Sequence, residues 1–238
     1  KTDQMNEDFR LSVIIPVLNE NQNLQQLIPL LKQHGGSYLQ DLIVVDGGST
    51  DGSQATALAL GASVYELSEA SRAKQLNLGA YKAGGNTFYF VHADTRPLPS
   101  FVNDICHARS RGFQAGCYRY QFDSKRLLLR LNSWATRFNG LFSGGGDQTL
   151  FITKTLFEQV GGFDPRFCLM EDFDLVRKIK KATKFHIIPK SIRVSARKYE
   201  HNSWLRVQLV NLYVFLRFHL GTSPQQLKSI YSKYLRYD

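Results

Sequence analysis

The sequence predicts an α/β fold in which a mostly parallel sheet is flanked by helices. Short apolar runs rich in β-branched residues, typical of strands buried on both faces, alternate with segments whose apolar residues recur at helical spacing. Strands that alternate with helices of this length indicate a parallel, doubly wound sheet. A chain of 238 residues, 43% hydrophobic and 21% charged, is long enough for one such domain with a full core.

The first half of the chain alternates regularly between strands and helices. The apolar run Leu11–Val17 is a strand that should end near Pro16, because proline cannot donate a hydrogen bond to a neighbouring strand. Asn19 can cap the helix that follows, and Gly35 and Gly36 end it. Further strands are predicted at residues 42–45, 62–67 and 87–92, and further helices at residues 55–60 and 73–83.

The second half of the chain is less regular, with a run of three glycines at residues 144–146. We expect one domain over residues 1–238, with functional halves at residues 11–95 and 96–200 and a helical extension at residues 201–238. Strands are predicted at residues 116–122 and 149–152, and helices at residues 127–138, 154–160 and 173–179.

Polar residues follow three of the predicted strands at the point where each strand ends. They are Asn19 with Glu20, residues 46–53, and residues 92–95. In open α/β sheets, ligands bind beyond the carboxyl ends of the strands. We therefore expect these three segments to form one site at a single edge of the sheet.

The segment at residues 46–53 (DGGSTDGS) has the composition of a ligand-binding loop. Its glycines allow the backbone to approach a ligand closely, and its carboxylates can accept hydrogen bonds from a base or a ribose. It is neither the dinucleotide fingerprint GxGxxG nor a P-loop with GK[ST], so neither NAD binding nor a kinase-like mechanism follows. The alternative is a plain Asp/Gly/Ser turn with a helix cap.

Several blocks of the sequence resemble family 2 glycosyltransferases, which have the GT-A fold. The resemblance implies a Rossmann-like sheet with a C-terminal helical segment, and transfer of a sugar from a nucleoside-diphosphate donor. Residues 11–95 would then bind the donor, and residues 96–200 the acceptor. The blocks are residues 13–20 (VIIPVLNE), 44–53 (VVDGGSTDGS), 71–80 (SRAKQLNLGA), 91–95 (VHADT), 145–148 (GGDQ), 161–164 (GGFD) and 170–174 (MEDFD).

A narrower resemblance comes from the particular versions of three segments. Residues 92–95 (HADT), 145–148 (GGDQ) and 195–200 (SARKYE) are most similar to a small bacterial branch of these transferases. Members of that branch are associated with radical-SAM or selenium-domain genes, or with arsenosugar biosynthesis.

The resemblance also implies which residues bind the donor, expected to be a uridine-based nucleotide sugar. Asp46 should bind the base, Asp51 should support the ribose or the turn, and Arg72 should lie over the nucleotide. Arg197 either grips the diphosphate, as a guanidinium can with two parallel hydrogen bonds, or lies on the surface. The other residues expected to bind the donor are Pro16, Asn19, Glu20, Gly48 and Asp94.

A divalent cation, Mg²⁺ or Mn²⁺, is the cofactor that the resemblance implies. Asp94 matches the last acid of the family's Asp-x-Asp metal motif, but His92 stands where that motif has its first Asp. Imidazole can bind Mn²⁺ and suits Mg²⁺ poorly. His92 is therefore a possible second ligand, or else a residue that orients Asp94 or packs at the end of the strand.

The catalytic acids are expected at Glu171 and Asp172, with the resemblance favouring Asp172 as the base of an inverting transfer. Such a base removes the proton of the acceptor hydroxyl as its oxygen attacks the anomeric carbon. The alternative is that both acids stabilise the first turn of a helix through its dipole. Asp147 and Gln148, which follow the three glycines, are expected on the acceptor side, with a simple turn as the alternative for Asp147.

Positive charge is concentrated near the C-terminus. Residues 171–238 contain 14 Lys and Arg against 5 Asp and Glu, out of a net charge of +10 for the chain. This favours an anionic neighbour such as a diphosphate, an acidic acceptor or a membrane surface, although a solvated basic surface would look the same. Nucleic acid is a poor fit, because the basic and aromatic residues interleave within an apolar helix.

That helix, at residues 203–220, has two apolar faces. One is a stripe of leucines, and the other consists of valines and Phe218. A helix apolar on two sides needs cover on both. A membrane surface, a second subunit and the chain's own core are the three alternatives for that cover, since the uncharged stretch is too short to cross a bilayer.

Two other functions and a location complete the sequence-based expectations. The alternatives to glycosyl transfer are a sugar-phosphate nucleotidyltransferase and a non-catalytic nucleotide or polyanion binder. The three cysteines lack CxxC spacing and are odd in number, which predicts three buried thiols, without zinc or disulfides. We therefore expect a cytoplasmic protein, with the inner membrane face as a possible peripheral location.

Overall fold

The computed structural model describes residues 8–124, 128–129, 133, 148–195, 199 and 202–235. Within these residues, eight strands form one mixed sheet. The strands are β1 (Leu11–Val17), β2 (Leu39–Asp46), β3 (Ser63–Glu66), β4 (Thr87–Phe90), β5 (Thr95–Arg96), β6 (Ala115–Phe122), β7 (Leu150–Thr153) and β8 (Phe185–Val194). They lie side by side in the order β3-β2-β1-β4-β7-β6-β8-β5.

Helices cover both faces of this sheet, and two more follow it at the C-terminal end of the chain. The predicted α/β class with flanking helices and a C-terminal helical segment is confirmed. The helices in the described residues are α1 (Asn21–Gly35), α2 (Ser53–Ala59), α3 (Arg72–Lys82), α4 (Phe101–Ser110), α5 (Lys154–Gln159), α6 (Glu171–Ala182), α7 (Trp204–His219) and α8 (Pro224–Tyr234).

The first half of the sheet is parallel, as the sequence predicted. β1 pairs with β2 on one side and with β4 on the other, and β2 pairs with β3. β1 ends at Val17, one residue after Pro16. Because parallel strands end at the same edge, the loops after β1, β2 and β4 begin side by side.

The second half of the sheet is mixed, which the alternation of the first half did not predict. β7 runs antiparallel to both β4 and β6, β8 runs parallel to β6, and β5 runs antiparallel to β8. The sequence did not predict β8, because Pro189 interrupts its apolar pattern. The register between β6 and β8 skips Pro189 and Lys190, so the proline lies in a bulge, where a strand tolerates it.

Apolar side chains of the central strands alternate between two core clusters. In β1, Val13 and Ile15 pack with α1, α4, α7 and α8, whereas Ile14 packs on the other face with α3, α5 and α6. This is the arrangement expected of strands buried on both faces. The C-terminal helices therefore share a core with the first strand of the chain.

The two apolar faces of α7 have different surroundings. The face with Val207, Val210, Val214 and Phe218 is buried in the first core cluster. Burial in the chain's own core is therefore confirmed for the valine face and wrong for the leucine face. None of the described helices is both long and apolar enough to cross a membrane. The exposed leucines on the opposite face are Leu205, Leu209, Leu212, Leu216 and Leu220.

The cysteines and one predicted helix depart from expectation. Cys106 and Cys117 are buried, but Cys168 is exposed, so the prediction of three buried thiols is wrong there. Its position in the loop before α6, outside any strand or helix, explains the exposure. The helix predicted at residues 127–138 lies largely outside the described residues.

Candidate active site

The ends of β1, β2 and β4 bring three polar segments to one edge of the sheet. Val17 at the end of β1 pairs with Asp46 at the end of β2, and the backbone nitrogen of Val91, just after β4, donates to the carbonyl of Ile14 at 3.0 Å. β1 thus lies between the strands that lead to Asp46 and Asp94. Two strand spacings of about 4.8 Å separate those strand ends by roughly 10 Å. The expected convergence of these segments is confirmed.

Asp46 organises the loop that follows β2. It is fully buried, and its Oδ2 accepts hydrogen bonds from the backbone nitrogens of Gly48 (3.0 Å) and Ser49 (2.8 Å) and from Nε2 of Gln54 (2.8 Å). Its Oδ1 accepts from the hydroxyl of Ser49. Gly48 has φ +96°, a conformation that glycine adopts without strain. Oδ2 therefore accepts three of the four bonds and Oδ1 one, where each oxygen of a carboxylate offers about two acceptor positions.

The same bonds determine the charge of Asp46. Burial by itself would raise the pKa of this carboxyl, but the hydrogen bonds from Ser49, Gln54 and Gly48 outweigh burial and lower the pKa below its usual value. Asp46 is therefore a buried carboxylate that stays ionised.

Hydrogen bonds join the loop after β1 to the loop after β2. The backbone nitrogen of Asn19 donates to Oγ of Ser49 at 2.8 Å, and that of Asn21 donates to Oδ2 of Asp51 at 3.0 Å. The other oxygen of Asp51 accepts from the backbone nitrogen of Ser53 at 3.0 Å. Of the two roles expected for Asp51, these bonds correspond to support of the turn.

Two amide side chains of α3 hold the neighbouring segments in place. Nε2 of Gln75, which is buried, donates to the carbonyls of Val17 (2.9 Å) and Val45 (2.8 Å) and so ties the ends of β1 and β2 together. Asn77 donates to the carbonyl of Phe163 at 2.7 Å and accepts from its backbone nitrogen at 3.0 Å. α3 therefore holds both the first half of the site and a loop from the second half.

Arg72, the first residue of α3, connects this edge to the two candidate acids. Its Nη1 lies 3.2 Å from Oε1 of Glu171, the first residue of α6. The Glu171 side chain is only 2% exposed, whereas that of Arg72 is 51% exposed. Asp172, the next residue, is half-buried. Glu171 is thus sequestered in an ion pair, and Asp172 is the more accessible of the two acids.

His92 and Asp94 lie in the loop after β4, where His92 is close enough to Arg72 to be affected by its charge. Burial, reinforced by the positive charge of Arg72, lowers the pKa of His92 to about 3, so its imidazole is neutral near pH 7. Asp94 is half-buried. The loop therefore offers one carboxylate with a neutral imidazole two residues before it.

Arg96 holds this loop in place, although its position in the sequence did not predict such a role. Its guanidinium spans from the backbone on both sides of Asp94 to the first turns of α1. Burial lowers the pKa of Arg96, and the charges of Asp94, Glu20 and Asp123 oppose that shift. Its hydrogen bonds go to the carbonyls of Ala93 (2.9 Å) and Thr95 (3.0 Å), to Oδ1 of Asn23 (2.7 Å) and to Oε1 of Gln26 (3.0 Å).

Left-handed backbone also marks this region. Among the described residues, the non-glycine residues with positive φ are Asn19 (55°), Thr149 (58°) and Met170 (69°). Asn19 is itself a candidate, Thr149 follows Gln148, and Met170 precedes Glu171. Such conformations are strained, most of all for a β-branched residue, and strain of this kind clusters at functional sites.

The remaining predicted residues are less well placed. Pro16 and Glu20 are half-buried at the site edge, and Gln148 is buried immediately before β7. Asp147 and Arg197 lie outside the described residues. Their expected roles stay predictions.

The donor set at this edge suits a cation that takes few ligands from the protein. Within the described part of the chain, no three His, Cys, Asp or Glu side chains cluster as a metal site. Mg²⁺ is usually held by one or two carboxylates together with water and substrate phosphates, and Mn²⁺ also accepts imidazole. Asp94, with His92 nearby, fits such a cation.

Three polar residues of the site were missed, namely Gln75, Asn77 and Arg96. Gln75 and Asn77 lie within the block at residues 71–80, and Arg96 follows the block at residues 92–95. Their place in or beside these blocks was the available signal. Spacing alone could not show which backbone groups they bind.

Comparison with solved structures finds several proteins of similar fold. A mannosyltransferase, PcManGT from Pyrobaculum calidifontis in complex with GDP-Man and Mn²⁺, has a TM-score of 0.69 at 18% identity over 93% of this chain and 67% of that chain. TarS 1-349 from S. aureus in complex with UDP-GlcNAc has a TM-score of 0.66 at 14% identity over 94% and 71%. At such identities the likeness concerns the fold.

A third similar structure is glucosyl-3-phosphoglycerate synthase from Mycobacterium tuberculosis in complex with Mn²⁺, UDP and phosphoglyceric acid. Its TM-score is 0.57 at 21% identity, over 78% of this chain and 68% of that chain. No curated protein sequence matches this chain.

The fold and these likenesses define a GT-A transferase. The family model described as "Glycosyl transferase family 2" matches residues 12–166, and the chain belongs to that family. It is therefore a family 2 glycosyltransferase, which favours glycosyl transfer over nucleotidyl transfer and over non-catalytic binding.

Proposed function

We propose that this glycosyltransferase moves a sugar from a nucleoside-diphosphate donor, expected to be uridine-based, to a hydroxyl acceptor with inversion at the anomeric carbon. The observation that carries the proposal is the 3.2 Å ion pair between Arg72 and Glu171. It joins the edge that holds Asp46 and Asp94 to the start of α6, where Asp172 lies. This contact between the starts of α3 and α6 supports a single site for acids from the two halves of the chain.

The donor is assigned to the loops after β1 and β2. Oδ1 of Asp46 accepts only one of its four hydrogen bonds and keeps an acceptor position for a base, whereas contact through Oδ2 requires one donor to give way. Gln54 is the best placed to move, because it is the only long side chain among those donors. The nucleotide sugars bound by similar structures support this assignment. Pro16, Asn19, Glu20, Gly48 and Arg72 are the other assigned donor residues in the described part of the chain, with Asp51 holding the turn.

Asp172 is assigned as the base. It takes the proton of the acceptor hydroxyl while the hydroxyl oxygen forms a bond to the anomeric carbon. The bond from that carbon to the diphosphate oxygen breaks, and its electron pair leaves with the diphosphate. Asp172 suits this role because it is accessible, whereas Glu171 is buried and serves to position Arg72. Asp147 and Gln148 are assigned to the acceptor side.

Asp94 is assigned to hold the divalent cation, with His92 as a candidate second ligand. A bound Mg²⁺ or Mn²⁺ would stabilise the negative charge on the departing diphosphate. Mn²⁺ in the similar structures supports this assignment. Arg96 holds the Asp94 loop in place through its hydrogen bonds on either side of the carboxylate.

Two narrower statements complete the proposal. Membership of the branch associated with radical-SAM or selenium-domain genes, or with arsenosugar biosynthesis, stays a prediction that the identity of the acceptor would test. The proposed partners also include a membrane surface or a second copy of the chain, either of which would contact the exposed leucines of α7.

The base assignment is tested with Asp172→Asn, using water as the acceptor. Release of nucleoside diphosphate from a nucleotide sugar should fall by roughly a hundredfold or more, because the amide cannot accept the proton. Affinity for the nucleoside diphosphate, measured by calorimetry with Mn²⁺, should not change. Glu158→Gln, an exposed acid on α5, is the matched control. Hydrolysis by Asp172→Asn near the wild-type rate would rule out Asp172 as the base.

A further inference from the structure

The exposed apolar face of α7 is a continuous stripe. We define the leucine stripe as Leu205, Leu209, Leu212, Leu216 and Leu220, which recur three or four residues apart on one side of the helix. Their side chains are between 46% and 79% exposed. Large contiguous apolar patches on a protein surface mark sites of interaction with another apolar surface.

Packing on the opposite side of α7 keeps the stripe facing outward. Val207, Val214 and Phe218 are buried in the core, and the ring of Phe215 packs edge-on against that of Phe173, with centroids 5.6 Å apart. α7 therefore cannot rotate to bury its leucines without emptying the core. The stripe needs a cover from outside the described chain.

Charge around the stripe indicates what that cover is. Residues 202–235 contain four Lys and Arg and no Asp or Glu. Arg206 and Tyr213 are exposed, and each lies three or four residues from a stripe leucine, so they form one border of the stripe. Arginine stems and tyrosine rings are suited to a boundary between apolar and polar surroundings.

A second copy of this chain is a poorer fit than an anionic bilayer. Pairing two stripes would bring two acid-free, basic segments together in a chain that already has a net charge of +10. An anionic lipid surface instead offers apolar tails to the leucines and phosphates to Arg206 at the border of the stripe.

We propose that the leucine stripe of α7 inserts into the surface of an anionic lipid bilayer and holds the enzyme there as a peripheral protein. Because Phe215 and Phe218 contact Phe173 and Phe167, docking places the segment that carries Asp172 about one helix diameter from the bilayer, roughly 10 Å. Docking does not depend on the donor, the cation or the base assignment.

The test is co-sedimentation of the full chain with vesicles. Wild-type protein should bind vesicles of equal parts phosphatidylglycerol and phosphatidylcholine, bind phosphatidylcholine alone weakly, and lose binding as salt is raised. Leu209→Gln with Leu216→Gln should weaken binding by on the order of tenfold for each leucine replaced. Leu58→Gln, on α2 and 59% exposed, is the matched control and should bind as the wild type does.

Because both replaced leucines are exposed, the double variant should keep the wild-type unfolding temperature, which shows that it folds. The proposal is overturned if the wild-type protein does not bind anionic vesicles. It is also overturned if Leu58→Gln and the double variant lose vesicle binding to the same extent. Sedimentation equilibrium measures the oligomeric state and so tests the alternative that the stripe contacts a second copy. If the wild type forms a dimer and does not bind vesicles, and the double variant is a monomer, the stripe would be assigned to a second copy of the chain instead.

Discussion

At the scale of single residues, two acids of the site, Asp46 and Asp51, hold its loops through hydrogen bonds. Asp46 is buried and accepts from the backbone of its own loop, whereas Asp51 is exposed and accepts from its own loop and from Asn21 after β1. Asp94 and Asp172 are half-buried. The sequence predicted that all four matter. It could not predict which backbone groups Asp46 and Asp51 bind, because those contacts depend on the conformation of the two loops.

Asp46→Asn should make the free energy of unfolding depend less on pH in the acidic range. The pKa of Asp46 is lowered in the folded protein, so its ionised form stabilises the fold above the ordinary pKa of about 4, and this contribution is lost as pH falls through the lowered value. At neutral pH the variant should lose about 1–3 kcal/mol, since an amide cannot accept all of these bonds.

Urea unfolding at neutral pH and at several values below about 4 measures this effect. The difference between wild type and Asp46→Asn should shrink as the pH falls. Asp8→Asn, at an exposed acid, serves as the control. A difference that stays constant with pH would show that the charge of Asp46 is not what stabilises the loop.

At the scale of elements, α3 holds several segments of the site together, and β8 is a strand that the sequence pattern did not predict. The block at residues 71–80 predicted a helix, but not that Arg72, Gln75 and Asn77 reach four separate segments. β8 was hidden by Pro189, which a bulge accommodates. The missing information is in both cases long-range: a side chain's target, or a register shift, depends on a neighbour distant in sequence.

Gly79 sets how closely α3 approaches the sheet. A Cβ at this position would collide with Cγ2 of Ile14 in β1 and would lie 3.3 Å from Cγ2 of Val45 in β2. Gly79→Ala should therefore destabilise the protein by up to about 2 kcal/mol, because the overpacking cost of about 1–3 kcal/mol exceeds the gain in helix propensity of just under 1 kcal/mol.

The free energy of unfolding in urea measures this prediction. Lys74→Ala, on the exposed side of the same helix, should change stability by less than about 0.5 kcal/mol. A Gly79→Ala variant as stable as the wild type would mean that α3 can move away from the sheet without loss.

At the scale of the whole molecule, the sequence predicted the donor edge better than anything beyond it. The alternation of strands and helices implies parallel strands, and parallel strands end at one edge, so the meeting of residues 19–20, 46–53 and 92–95 follows from topology. The meeting of Arg72 with Glu171 does not, because 99 residues separate them and the mixed half of the sheet lies between.

The central claim is that acids from separate parts of the chain form one site. In this site Asp94 binds the cation and the donor, and Asp172 takes the proton of the acceptor. Calorimetric titration tests it most directly, using whichever of UDP or GDP stabilises the protein more in a thermal-shift screen with Mn²⁺. We predict binding that depends on Mn²⁺ in the wild type, is lost in Asp94→Asn, and is unchanged in the matched variant Asp172→Asn. Equal, metal-independent affinity in all three proteins would contradict the account.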